Sequence, residues 1–398
     1  MAENAGLGYN LNKYKTLRYA ERELEDSLDS MLSFFIWGKP GIGKTDTLKH
    51  IAERKGISFM TVHAAQMHEL ELRGLPYADV DTKEDGKKIK KATWLPFEHI
   101  LPIPEIHGEK GILVFDDITL GTLEVCKAAQ QLFLERRIGS YTLPDGWHCM
   151  ATGNNPEDAP GYVQKISPPI KGRFKHITVL PPNETGNHEA EEDMFTAWLN
   201  KYNIHPMVLS FCKKYPNMIS DYSRMKDENG YPTPRTWEFV SRQLNAWEKK
   251  GVDIKKEDIG YLTSVFEGAV GMAASRQFVQ YTKIWNQVLD MREMLEKGVD
   301  EKKVKSKELD VQWASAISGL TMLPGYVVSP TGKTSKEAEK VINNFFDFVN
   351  CLPKEIGTYM VMRSLNIETI SKHIEKSEAF GRFSKDNYNL YSDMSFRK

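Results

Sequence analysis

The sequence has little of three things: long hydrophobic runs, closely spaced cysteines, and an excess of charge of either sign. No stretch approaches the roughly 18 consecutive apolar residues that a membrane-spanning helix needs. The first ten residues carry neither the basic nor the apolar region of a signal peptide. These absences predict a cytoplasmic protein that does not act through a membrane.

The cysteines lie far apart in the chain and form no CxxC pair. This spacing predicts reduced thiols rather than a disulfide framework. Acidic and basic residues nearly balance, 54 against 53, and apolar residues make up 40% of the chain. That composition excludes a wholly disordered chain and a polycation that binds nucleic acid along its whole length, although a local basic patch stays open.

Strand-like and helical patterns alternate through the first half of the chain. The alternation predicts an α/β domain with a parallel sheet at 33–182, preceded by a helix within 1–32. Inside that domain the pattern breaks up at about 66–109, which predicts an insertion or a long loop. The charged run Asp81–Lys91 in this insertion is expected to be a solvated loop.

The second half of the chain is predicted to be helical, with a domain at 183–296 and an extension at 297–398. A lysine-rich stretch that begins at Lys297 separates the two. The predicted helices are Met194–Tyr202, Pro206–Tyr215, Pro234–Lys250, Ile259–Ala274, Tyr281–Glu296, Val341–Cys351 and Tyr359–Asn366.

The segment Gly38–Thr45 reads GKPGIGKT and matches the phosphate-binding loop GxxxxGK[ST] in full. An apolar strand enters the segment and a helical pattern leaves it, as in known loops of this kind. Its glycines allow a tight turn whose N–H groups point at phosphate oxygens, and the helix N-terminus adds its dipole. We therefore expect a nucleoside triphosphate here, with Lys44 on the β- and γ-phosphates and the Thr45 hydroxyl on Mg²⁺. The residues expected to bind the nucleotide are Gly38, Lys39, Pro40, Gly41, Ile42, Gly43, Lys44, Thr45 and Asp46.

Two adjacent carboxylates, Asp116 and Asp117, follow the apolar segment Ile112–Phe115. Folds of the α/β class place their ligands at the carboxyl ends of strands. A triphosphate site needs a carboxylate for the metal and a group that orients the attacking water. We assign Asp116 to Mg²⁺ and Asp117 to the water. The alternative is a solvated pair ahead of the next helix, where aspartate is common in any case.

Five segments occur along the chain in this order: GKPGIGKT, ILVFDD, RRIGSYTLPDGWHCMATGNNPED, IKGRF and TPRTWEFVS. Together they resemble the MoxR-like, dynein-related branch of the AAA+ ATPases over about Phe34–Ser241. The resemblance implies an AAA+ α/β core with an α-helical lid and a helical C-terminal region, and hydrolysis of ATP with Mg²⁺. It also implies a homo-oligomeric ring, expected to be a hexamer, that remodels a client with a partner carrying a von Willebrand factor type A domain.

Three polar residues match functional positions of that family. Asn154, in ATGN, corresponds to the first sensor, which helps to position water near the γ-phosphate; its neighbour Asn155 is the alternative. Arg173, in GRF, corresponds to the arginine finger that enters the neighbouring subunit's site and stabilises the charge that develops there. Arg235, in TPRTW, corresponds to the second sensor, which acts in cis. The alternative for both arginines is an ordinary surface position.

Asp117 departs from the family, which usually has glutamate at this position. Because its carboxylate is one methylene shorter, an ATP-gated assembly scaffold with little turnover stays open. A nucleic-acid-acting AAA+ motor linked to a nuclease or replication step is another alternative, since there is a basic cluster of Lys165, Lys171, Arg173, Lys175 and His176. For this cluster an interface between subunits is the favoured interpretation.

Overall fold

The computed structural model describes residues 15–82, 88–158, 163–185, 204–225, 228–328, 337–367 and 369–386. The chain divides into two compact units, Met1–Ala190 and Glu191–Lys398, and each has its own hydrophobic core. The predicted helix Met194–Tyr202 lies outside the described residues.

The first unit is built on a parallel sheet of five strands. Numbered along the chain, these strands lie side by side in the order β2 (Ser58–His63), β5 (Lys110–Asp116), β8 (Gly146–Gly153), β1 (Phe34–Trp37) and β9 (Lys175–Thr178). Strands β2 and β9 are therefore the two edges of the sheet. Strands β1 and β5 are almost entirely buried, because helices cover both faces of such a sheet. Parallel pairing brings all the carboxyl ends to one edge, so the residues that follow the strands meet there. The strands of this unit are β1 (Phe34–Trp37), β2 (Ser58–His63), β3 (Leu75–Thr82), β4 (Lys88–Leu95), β5 (Lys110–Asp116), β6 (Arg137–Ile138), β7 (Tyr141–Thr142), β8 (Gly146–Gly153) and β9 (Lys175–Thr178).

Two of the helices in the first unit flank the loop after β1. Helix α2 begins directly at the end of that loop. Helix α1 packs beside α2, where Arg54 forms ion pairs of 3.0 Å with Glu21 and 2.6 Å with Glu25. The helices are α1 (Leu17–Ser27), α2 (Lys44–Lys55), α3 (Glu69–Arg73), α4 (Pro104–His107), α5 (Leu123–Glu135) and α6 (Pro168–Lys171).

Two antiparallel hairpins among the described residues form small sheets of their own, separate from the central sheet. Strands β3 and β4 pair along their whole length, from Leu75 opposite Leu95 to Thr82 opposite Lys88. The prediction of a solvated loop at Asp81–Lys91 is therefore wrong at both ends of that run, which belong to the two strands. Within the insertion, β3 and β4 form an exposed two-stranded ribbon, and its base meets the β6–β7 turn, where the Ser140 hydroxyl donates to the Trp94 carbonyl at 3.0 Å.

The second unit is helical throughout its described residues. Helical structure runs from Ile259 to Trp285 with a break at Gly271, close to the end of the predicted helix Ile259–Ala274. The prediction of one helix at Tyr281–Glu296 is wrong, because that range covers the end of this element and the start of the helix Met291–Lys297. The helix Leu309–Val327 lies within the predicted helical extension but was not among the individual helices predicted there. The helices are α7 (Pro206–Lys214), α8 (Pro234–Lys249), α9 (Ile259–Trp285), α10 (Met291–Lys297), α11 (Glu301–Lys305), α12 (Leu309–Val327), α13 (Ala338–Cys351), α14 (Lys354–Leu365), α15 (Ser371–Glu375) and α16 (Glu378–Asp386). Within the described ranges no helix has the length and apolar character to cross a membrane.

A kink interrupts α9 at Gly271, whose φ of 76° lies in the left-handed region. The Glu228 carboxylate accepts the freed Met272 N–H at 3.3 Å, and it is itself paired with Arg224 at 2.7 Å. A Cβ at Gly271 would lie 2.5 Å from the Gly230 carbonyl oxygen. Only glycine therefore fits this position, both by conformation and by space.

The parallel sheet with a phosphate-binding loop after its first strand, followed by a helical region, confirms the predicted fold class. An α/β core of the P-loop type occupies the first unit, and helices alone make up the described part of the second.

Candidate nucleotide-binding site

The loop Gly38–Thr45 runs from the end of β1 into α2. Gly41 and Gly43 have φ values of 76° and 100°, which non-glycine residues rarely adopt. A Cβ on Gly38 would lie 2.6 Å from the Val179 carbonyl oxygen and would collide with the backbone that follows β9. The tight curl at the helix N-terminus therefore depends on the glycines that define the motif.

The Lys44 side chain is buried and folds back over the loop that precedes it. Its ammonium donates to the carbonyl oxygens of Gly38 at 2.8 Å and Lys39 at 3.1 Å. A third bond of 2.9 Å runs to the side-chain carbonyl oxygen of Asn154. This geometry places a cation at the mouth of the curled loop, where phosphate oxygens are expected.

Thr45 and Asp116 meet at the carboxyl edge of the sheet. The Thr45 hydroxyl donates to Oδ1 of Asp116, and the Thr152 hydroxyl donates to the same oxygen at 2.7 Å. Hydroxyl and carboxylate oxygens are the ligands that Mg²⁺ prefers in proteins. The pair predicted from sequence as the metal ligands is thus adjacent, and its donor set fits that ion.

Asp117 lies one residue beyond, in a left-handed conformation with φ 48° and ψ 46°. Aspartate is one of the few residues that tolerate this region. The backbone N–H of Asp117 donates to the Thr152 hydroxyl at 2.9 Å, which holds the turn. Its carboxylate lies 3.5 Å from the side-chain amide nitrogen of Asn154.

The two neighbouring asparagines have different surroundings. Asn154 is buried between Lys44 and Asp117, and its own N–H donates to the Thr119 hydroxyl at 3.1 Å. Asn155 turns away and donates to Asp158 at 3.0 Å. Of the two, Asn154 is therefore the one that faces the loop.

Thr152 and His63 also belong to this edge although no role was predicted for them, and Lys39, predicted to bind the nucleotide, has an ion-pair partner here. Thr152 links Asp116 to Asp117 as described above. Lys39 donates to both carboxylate oxygens of Glu184 at 2.7 Å. His63, at the end of β2, lies with Nδ1 3.5 Å from Oδ2 of Asp116. Thr152 could have been recognised from the sequence, because it is a polar residue near the end of a mostly apolar strand.

A cleft of about 510 Å³ opens beside α2 and the edge strand β2. Thr45 and Asp46 line it on the helix side, and Phe59, Thr61 and His63 line it on the strand side. The metal end of the candidate site is therefore accessible from solvent along this edge.

Arg173 lies away from the loop of its own chain. It precedes β9, whose first residue Lys175 pairs with Phe34 at the start of β1, whereas Gly38 follows the end of β1. The four residues of β1 separate Lys175 from Gly38 by about 13 Å along the strand, so Arg173 precedes the amino end of β9 whereas the loop lies at the carboxyl edge. The guanidinium donates to the Pro169 carbonyl, and its Nε has no partner among the described residues.

Arg235 belongs to the second unit, in the first turn of α8. Thr233 caps that helix by accepting the N–H of Thr236 at 3.1 Å, and Pro234 takes the first helical position. The Arg235 side chain is exposed. The structure thus gathers the predicted residues of the first unit at one edge, apart from Arg173, and presents Arg235 on the surface of the second.

No protein-family model and no curated protein matches the sequence. Among solved structures, the chain is similar to a candidate ATPase from Cytophaga hutchinsonii (10% identity, 89% of this chain and 92% of that chain, TM-score 0.31). It is also similar to a RuvB point mutant from Thermotoga maritima (13% identity, 83% and 94%, TM-score 0.35). A DNA polymerase III gamma-subunit-related protein from Thermotoga maritima is a third (11% identity, 89% and 99%, TM-score 0.33). TM-scores this low carry no weight for fold or function. The function is therefore inferred from the geometry of the site.

Proposed function

We propose that the protein binds and hydrolyses ATP as a ring-forming AAA+ ATPase of the MoxR-like branch, which remodels a partner protein or complex. One observation carries the proposal: Lys44, Asn154 and Asp117 form a continuous chain of contacts at the mouth of the phosphate-binding loop. Thr45 and Asp116 lie beside them. A buried ammonium, a metal-type oxygen pair and a water-orienting carboxylate are the parts that triphosphate hydrolysis needs.

In this proposal each residue has one task. The amides of Gly38–Lys44 and the Lys44 ammonium bind the phosphates in place of the carbonyls that Lys44 now contacts. Thr45 and Asp116 hold Mg²⁺, which neutralises phosphate charge when bound. Asp117 orients the attacking water, and Asn154 keeps that carboxylate and Lys44 at a fixed separation.

We propose further that the site is completed by a neighbouring subunit. Arg173 precedes β9 at the amino end of the sheet, whereas the phosphate-binding loop of its own chain lies at the carboxyl edge. An arginine supplied from outside is worth about 10³–10⁵ in rate for enzymes of this class. A homo-oligomeric ring, with six subunits as the expected number, would supply it.

The remaining roles follow from the family resemblance. Arg235 is proposed to reach the nucleotide in cis as the second sensor. A partner with a von Willebrand factor type A domain is proposed as the link between the ring and its client. The basic residues near Arg173 are proposed to lie at the interface between subunits rather than on nucleic acid.

Phosphate release measured against protein concentration tests the proposal. We expect magnesium-dependent ATP hydrolysis whose rate per subunit rises steeply with concentration as rings form, and falls when Arg173 is replaced by alanine. Binding of ATP with assembly but without phosphate release would select the scaffold alternative instead. Strong, salt-sensitive stimulation by DNA would select the nucleic-acid motor. The absence of magnesium-dependent ATP binding would overturn all three.

A further inference from the structure

An imidazole links the turn that carries Arg173 to strand β1 through hydrogen bonds on both of its ring nitrogens. The turn spans Lys171–Phe174, between α6 and β9, and its backbone closes with the Phe174 N–H on the Lys171 carbonyl at 3.2 Å. His176, two residues into β9, reaches back to the same Lys171 carbonyl with Nε2 at 2.9 Å. The Lys171 carbonyl, which precedes Arg173, thus accepts from two residues that follow it.

The other ring nitrogen of His176 contacts Trp37. The Trp37 Nε1–H is 2.8 Å from Nδ1 of His176, and an indole nitrogen can only donate. Nδ1 must therefore be the acceptor, so the proton of the neutral ring lies on Nε2 and is donated to the Lys171 carbonyl. The two partners fix both the tautomer and the orientation of the ring.

Trp37 is itself firmly held. It is the last residue of β1, directly before Gly38, and its ring stacks on Phe35 with centroids 4.0 Å apart. Phe174, which follows Arg173, is buried edge-on against Phe35 at 5.4 Å and against Phe133 at 4.6 Å. The backbone on both sides of Arg173 is therefore tied to the aromatic core beneath β1.

We propose that His176 is a positioning residue for Arg173, holding its turn in the place from which the guanidinium serves a neighbouring subunit. This inference rests on the proposed function, because it needs the finger to act between subunits. A displacement of about 1 Å in a catalytic group can lower a rate by about 100-fold. Loss of His176 leaves the Lys171 carbonyl with the Phe174 N–H alone and lets the turn shift while leaving the nucleotide loop of the same chain intact.

Rings mixed from two kinds of subunit allow a change near the arginine finger to be tested apart from the ATP site. In such rings the working finger and the working site belong to different chains. The acceptor subunit is Arg173→Ala, which keeps its loop but offers no finger. The donor subunit is Asp117→Asn, which keeps its finger but does not hydrolyse ATP. Neither turns over rapidly alone, and we expect the mixture to recover activity because donor fingers enter acceptor sites.

The test adds His176→Ala to the donor. We expect the kcat of the mixture to fall about 10- to 100-fold, with KM unchanged because the acceptor sites bind ATP as before. Trp37→Phe in the donor keeps the aromatic stack but removes the N–H, and we expect a smaller fall in kcat. Lys55→Ala is the control, because Lys55 is exposed in the last turn of α2, outside the basic cluster near Arg173, and it should leave the recovery complete.

Each donor is checked for ring assembly by sedimentation and for nucleotide affinity, so that a misfolded variant is recognised. Equal kcat with the His176→Ala donor and the unmodified donor would overturn the positioning role while leaving the shared site standing. No recovery with the unmodified donor, or full activity of Arg173→Ala alone, would overturn the shared site and this inference with it.

Discussion

The Lys44 ammonium and the Asn154 side chain share a 2.9 Å hydrogen bond across two strand ends. Lys44 follows β1 and Asn154 follows β8, so the bond exists because these strands are parallel neighbours, with Trp37 opposite Gly153. Asn154 also approaches Asp117 after β5. One amide therefore connects the phosphate-binding lysine to the proposed water-orienting carboxylate.

Replacement of Lys44 by alanine should weaken ATP binding by about 10- to 100-fold, since a hydrogen bond to a charged group contributes about 1.5–3 kcal/mol. Titration with a fluorescent ATP analogue in the presence of magnesium measures the change. Lys49→Ala is the control, because Lys49 is exposed on the same helix. Equal affinity of the Lys44 variant and the control would contradict the assignment.

Replacement of Asn154 by alanine should lower kcat by about 100-fold or more and change ATP affinity much less. The reason is that a polar group oriented toward the reacting atoms acts mainly in the transition state. Asn155→Ala provides a close comparison, because Asn155 bonds only Asp158 among the contacts described above. Steady-state phosphate release gives kcat and KM for each variant. A larger fall in kcat for Asn155→Ala than for Asn154→Ala would reverse the assignment of the sensor.

Replacement of Asp117 by asparagine should preserve ATP binding and abolish turnover. Asparagine tolerates the left-handed backbone that this position requires, so the change removes the charge with little strain. Binding by fluorescence and hydrolysis by phosphate release, measured on one preparation, separate the two effects. Turnover that survives the substitution would remove Asp117 from the proposed chemistry.

Replacement of Gly271 by alanine should destabilise the second unit by about 1–2 kcal/mol from the left-handed backbone alone, and by more from the close approach of Gly230. Gly268→Ala, in the same helix, meets nothing within 4 Å and should stabilise it by up to about 1 kcal/mol. Thermal unfolding followed by helical circular dichroism compares the two variants. Similar melting temperatures would show that the kink is not a requirement of the fold.

The thiols should differ in reactivity. Cys126, Cys149 and Cys212 are buried, and burial raises the pKa of the Cys126 thiol to about 11, whereas Cys351 is partly exposed. Since the thiolate is the reactive form, we expect maleimide to label Cys351 first in the folded protein and the other three only after unfolding. Mass spectrometry of labelled peptides reads the order, and early labelling of Cys149 would contradict the buried strand β8.

Sequence patterns were sufficient for the parallel core and for most of the candidate site. Gly38–Thr45, Asp116 and Asn154 each follow a buried strand, and parallel strands bring such residues together whatever the details of packing. The choice between Asn154 and Asn155 was less certain from sequence, because it depends on how the chain turns after β8.

Other features could not be derived from local patterns. Helix α12 is buried on most sides, with 11 of its 19 residues inaccessible, so the 3.6-residue alternation that marks a surface helix is missing. The break at Gly271 depends on Glu228, which is far away in the chain. Strand β4 begins with a lysine-rich segment that is exposed on both faces and therefore shows no strand periodicity.

The exposed ribbon of β3 and β4 has a mechanical implication. Each strand has eight residues, so the ribbon extends about 26 Å from its root. Ser140 fastens that root to the short β6–β7 hairpin, which follows α5 in the chain. A tilt of about 10° at the root would move the far ends of β3 and β4 by about 4–5 Å, so the ribbon is a lever whose fulcrum is the contact between Trp94 and Ser140.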